Sequence, residues 1–153
     1  MSVDYIVASL PSLAFDQPAP ISWDKFAELC GGQVPEPDSW RDLDTQMRNA
    51  LAEARGGAKW KRPASGCSLY WRNRVLACFQ EKDIARRDAL LDKTWWDAAG
   101  ELTDLASPLG RGALATYAVR LKIALKRSRA SAEAGNAAFE RLTAATKTAF
   151  TAN

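Results

Sequence analysis

Between Ile84 and Leu105 the apolar residues Leu91, Trp95, Ala98, Leu102 and Leu105 recur at intervals of three and four. On an α-helix such spacing draws one continuous stripe, so a long helix is predicted over residues 84–105. The run SPLGRG at 107–112 ends it with Pro and Gly. A second long helix is predicted over 112–130, with Leu114, Tyr117, Ala118, Leu121 and Leu125 on its buried side. Only the short break joins the two, so antiparallel packing is expected. The second helix should fray around Ser128–Ser131. A separate last helix in GNAAFERLTAATKTAF then places Phe139, Leu142 and Thr146 together.

Upstream the same reading finds shorter pieces. Ser22 is placed to cap a helix whose Trp23, Phe26, Leu29 and Cys30 share a face, and Gly31-Gly32 stops it. Leu43, Met47, Ala50, Leu51 and Ala54 mark a further helix that ends at Gly56-Gly57, with Ser39 and Asp42 spaced as a capping box at its start. Residues 58–68 read as loop, and Leu69 to about Lys82 as helix, with Leu76 and Phe79 among its anchors. Residues 4–8 read either as a short strand or as one to two turns of helix stopped near Pro11, because periodicity cannot decide over so few residues. The expectation is an all-α, single-domain helical bundle of five to six helices spanning 1–153. Residues 1–38 form a Pro-rich N-terminal arm plus a short helix, and 39–153 form the main bundle.

Composition agrees with this pattern. There are 28 Ala and 16 Leu against 5 Val and 4 Ile, which favours helix over sheet. A chain of 153 residues fits one domain and should bury roughly 68–70% of its unfolded surface, so it needs no disulfide or metal. The absence of histidine excludes a Ser-His-Asp triad, a Cys-His dyad and an HExxH zinc site. Cys30, Cys67 and Cys78 have no CxxC spacing, so no metal is expected. Cys67 lies near Arg72 and Arg74, which favour a thiolate, but no imidazole is present to assist it. GGQVPEP lacks the Lys-Ser/Thr end of a phosphate loop, and Gly110-Arg111-Gly112 is not a dinucleotide fingerprint. These features read as a non-enzyme without cofactor. The sparse, odd cysteine count and the lack of a leader or a long apolar run point to the cytoplasm.

Charge changes the picture more. Ala54–Gln80 contains Arg55, Lys59, Lys61, Arg62, Arg72 and Arg74 and no acid. Leu105–Ala132 contains Arg111, Arg120, Lys122, Lys126, Arg127 and Arg129, also with no acid. Either these bases are neutralised by acidic elements beside them in the fold, or they form a docking surface for an acidic partner or anionic lipid headgroups. The candidate surface is Arg120, Lys122, Lys126, Arg127 and Arg129, with Trp60, Trp71, Arg72 and Arg74 as a second region. Reversing Lys122, Lys126 and Arg129 to Glu is then expected to abolish association and leave the fold intact. The second region interleaves aromatics with bases, which is how single-stranded nucleic acid is gripped, so nucleic-acid binding is the alternative function. No RRM, KH, OB-fold or helix-turn-helix signature accompanies it. Among six tryptophans, Trp95 falls on the buried stripe. Trp96 lies about 100° further round, so it packs on a second element or lies at an interface.

The run DYIVASLPSLAFDQPAPISWDKFAELC, followed in order by MRNALAEAR, ALLDKTWWD, LATYAVRLKIALKR and GNAAFERL, resembles a bacterial family of uncharacterised function encoded within V/A-type ATPase gene clusters. The resemblance covers most of the chain. It implies a non-catalytic subunit or assembly protein of a proton- or sodium-translocating V/A-type ATPase, similar to the C-type subunit of those enzymes. The C-type subunit is an all-helical socket between the rotor ring and the central stalk. The implied partners are ATPase subunits, and the implied location is cytoplasmic, peripheral to the inner face of the membrane. A full C-type subunit is longer and is built of repeated helical units, so this chain corresponds at most to part of it.

Overall fold

The computed structural model describes residues 2–151, and among them there are six α-helices, two 3-10 turns and no strand. At the N-terminus the chain chooses helix. In α1 (Val3–Ser9) Ile6 is buried, and Val3, Val7 and Leu10 pack beside it, a helical spacing that a strand would have split between two faces. The helix α2 (Trp23–Leu29) starts as expected, with Ser22 Oγ accepting from the Lys25 amide at 3.2 Å. It ends where Gly31 and Gly32 take φ of 65° and 78°, a region costly for other residues.

The start of α3 (Asp38–Ala54) departs from the expected capping box. Pro37 occupies the N-cap position, and neither Ser39 nor Asp42 caps the helix. Asp42 instead accepts from the Ser65 amide and from Gln46 Nε2. Gln46 Oε1 accepts from the Ser68 amide at 2.7 Å, and Asn49 exchanges two 2.8 Å hydrogen bonds with the backbone of Arg62. Asp42, Gln46 and Asn49 share one face of α3, so a row of polar side chains holds the 58–68 loop, which carries a 3-10 turn at Ala58–Trp60.

Helix α4 (Leu69–Cys78) is shorter than predicted. It buries Trp71, Val75 and Cys78, while Leu76 and Phe79 stay half-buried. Helix α5 (Ile84–Ala99), capped by Asp83, gives way to a 3-10 turn at Gly100–Leu102, and Leu105 lies beyond it, 95% exposed. The buried residues are Leu91, Asp92, Thr94, Trp96, Ala98 and Ala99, so Trp96 packs on a second element, one of its two expected placements, while Trp95, expected in the core, is half-buried at its edge. Covering α5 on two sides explains it. Trp95 turns toward α3, where its Nε1 donates to Asp44 at 2.8 Å, and Trp96 meets Phe15 edge-on at 5.5 Å between ring centroids.

Helix α6 (Arg111–Thr151) runs unbroken for 41 residues, roughly 60 Å. The predicted fraying at Ser128–Ser131 and the separate last helix are therefore not found. The α5–α6 pair is antiparallel: Thr116 lies 2.9 Å from the Ala99 carbonyl oxygen, Arg120 Nε donates to the Trp96 carbonyl, and Lys126 reaches back to Asp92. Two clusters make the core. Trp40, Met47, Trp71, Val75, Leu91 and their neighbours join α3, α4 and α5. Ile6, Phe26, Leu114, Ala118 and Leu121 join α1, α2 and α6. Side chains between Val3 and Val34 thus pack against α6 as one wall of the second cluster.

Candidate functional site

The basic residues of α6 do not form one free face. Arg120 is half-buried and stacks on Trp96 at 5.3 Å while bonding the Trp96 carbonyl. Burial lowers its pKa, and the charge of Asp97 works in the opposite direction. Lys126 Nζ meets Asp92 Oδ1 at 2.8 Å and Asp88 at 3.9 Å. Arg127 reaches the other oxygen of Asp92 at 3.5 Å and lies 4.1 Å over the ring of Phe15. Lys122 is exposed and sits 4.9 Å over Trp23. Arg129 is exposed. The acids that balance this segment come from α5, which explains why an acid-free stretch is stable within the chain. In the triple reversal of Lys122, Lys126 and Arg129, Glu at position 126 would face the buried Asp92, so that variant is expected to lose stability as well as any association.

The region from Trp60 to Arg74 is likewise divided. Trp71 is buried, with its Nε1 donating to Glu101 at 2.7 Å. Arg72 pairs with Glu53, to which Lys61 also bonds at 3.2 Å; the hydrogen bond from Arg72, then that from Lys61, hold the Glu53 carboxyl below its ordinary range. Arg74 places both terminal nitrogens 3.0 Å from Asp97 Oδ2 and lies 5.3 Å from the Trp71 ring. Burial pushes the Asp97 carboxyl up, but hydrogen bonds from Lys93 and Arg74 outweigh it and the pKa falls. Trp60, 72% exposed, stands apart with Lys59 beside its ring.

The largest unpartnered feature is one whose apolar residues the sequence displays but whose exposure it does not. Residues 131–151 of α6 are exposed throughout, so about the last 30 Å of the helix projects as an overhang. Phe139, Leu142 and Phe150 are 71%, 69% and 80% exposed. With Ala145, Thr146 and Ala149, Leu142 and Phe150 frame a shallow apolar depression. Isolated exposed apolar residues are ordinary on a surface, but three large ones aligned on a free helix mark an interaction site.

Among the described residues no group of three His, Cys, Asp or Glu side chains converges to hold a metal, and no helix is long and apolar enough to cross a membrane. Cys67 is exposed, Cys78 is buried, and burial raises the pKa of the Cys30 thiol. No protein-family model, curated protein or solved structure matches the chain.

Proposed function

We propose that the protein is a non-catalytic helical subunit or adaptor whose fold is completed by another protein chain. The observation that carries this reading is the overhang: half of the longest helix leaves Phe139, Leu142 and Phe150 in solvent. That part of the helix gains nothing from packing, although most helix stability in proteins comes from an apolar face that another element covers. Several of the charged side chains in the two basic regions are already engaged. Asp92, Asp97 and Glu53 hold cations, and the guanidinium groups of Arg72, Arg74 and Arg127 hold carboxylates.

The resemblance of the N-terminal run and of the later segments points to a V/A-type ATPase as the assembly, at a position like that of its C-type socket. Capture of the tagged chain from native membranes tests this. Stoichiometric V/A-type ATPase subunits are expected in the eluate. Their absence, with bound RNA or DNA that dissociates steeply as salt rises, would favour the nucleic-acid reading instead.

A further inference from the structure

Four charges lie in residues 131–151: Glu133, Glu140, Arg141 and Lys147. At 100° per residue they fall on one side of the helix, and the opposite arc, centred near Gly135, Leu142, Thr146 and Phe139, is uncharged. This arc continues the one that buries Leu114 and Leu121 in the first half of α6. The polar side has no net charge, whereas a helix lying on anionic lipid needs a basic one, so the arc is suited to protein. A second feature lies at the root of the overhang. A groove of about 420 Å³ opens between the N-terminal segment and α6; its lining is mixed, with Phe15, Pro18 and Ala132 beside the polar Asp16, Arg127 and Ser131, and the Arg127 guanidinium lies over the Phe15 ring. It is large enough for a phenyl ring and lies on the same side as the uncharged arc.

We propose that the overhang pairs antiparallel with the overhang of a second copy of this chain. This deepens the adaptor reading and rests on it for the premise that protein covers the arc. With the two-fold axis between Glu140 and Arg141, Phe139 packs against the partner's Leu142, and Thr146 packs against the partner's Gly135. Phe150 follows Phe139 by the same number of residues by which Ser131 precedes Leu142. The same register therefore delivers each Phe150 to the groove at the partner's root. Large residues meet small ones in every outer layer. Glu140 comes level with the partner's Arg141, and Glu133 lies close to the level of the partner's Lys147, so like charges do not oppose each other. Covering the arc removes on the order of 600 Å² per copy, somewhat below the ~800 Å² of a standard interface, which corresponds to a dimer of modest affinity.

Sedimentation velocity of the purified full chain over about 1–100 µM should show a reversible monomer–dimer equilibrium. Phe139→Glu should weaken it by at least about tenfold with an unchanged thermal midpoint, since the overhang contributes nothing to the core. Orientation is read by cross-linking in a Cys67→Ser background. Ala132→Cys mixed with Ala149→Cys should form a disulfide on mild oxidation, while neither variant should link to itself. A chain monomeric throughout the range, or self-linking of Ala132→Cys, overturns the proposal. A monomer that still captures ATPase subunits from membranes overturns the pairing alone; a dimer that captures none upholds the pairing and sinks the ATPase reading.

Discussion

Gly112 stands where the start of α6 crosses the 3-10 turn that follows α5, and a Cβ there would overlap the carbonyl oxygen of Leu102. Backbone cannot yield as a flexible side chain can, so Gly112→Ala should destabilise the protein by about 1–3 kcal/mol, measured by urea unfolding. Asp97 makes a prediction about pH. Its pKa and those of Glu53 and Asp42 are lowered in the folded chain. Each therefore contributes stability that is present above the unfolded carboxylate value of about 4 and is lost as pH falls through the folded value. Stability should decline below about pH 4, and Asp97→Asn should flatten that limb in denaturant titrations at stepped pH. Lys126→Glu should be destabilising by about 1–3 kcal/mol, because Asp92 would lose the nearer of its two cations and gain a like charge, whereas Arg129→Glu should stay within about 0.5 kcal/mol. The bases themselves are plain in the sequence. Their partners Asp88 and Asp92 are not, because they lie on another helix and meet α6 only after antiparallel packing.

Among the elements, α6 shows most clearly what local sequence can and cannot tell. Its buried first half, with Leu114, Leu121 and Leu125, is legible from spacing alone. The break expected at Ser128–Ser131 does not occur, since a serine costs only about 0.5 kcal/mol relative to alanine, less than nucleating a fresh helix. The exposure of Phe139 and Leu142 is not legible, because an apolar stripe looks the same whether or not another element covers it. Trp95 and Trp96 teach the same lesson from inside the fold: one stripe suffices for a helix covered on one side, and α5 is covered on two. At this scale the expected outcome is separable stability. Truncation after Ala130 should leave the unfolding free energy within about 0.5 kcal/mol of the full chain while reducing the helical circular dichroism signal. A large loss of stability would show that the overhang packs on its own body.

For the whole molecule, the architecture joins a closed helical body to an open rod. The all-helical fold follows from the Ala and Leu excess and from the periodic stripes, and part of the segregated charge resolves internally, with Lys126 and Arg127 on Asp92 and with Lys61 and Arg72 on Glu53. Large apolar side chains are exposed at several places, and Phe139, Leu142 and Phe150 among them align along the free end of α6, which is the ground on which an assembly role is proposed. Amide hydrogen exchange over residues 131–151, measured on the protein recovered in its native assembly at physiological salt, tests that assignment most directly. Protection comparable with that of residues 111–127 is the expected result. Exchange there as fast as in an unpaired helix, with 111–127 still protected, would contradict it.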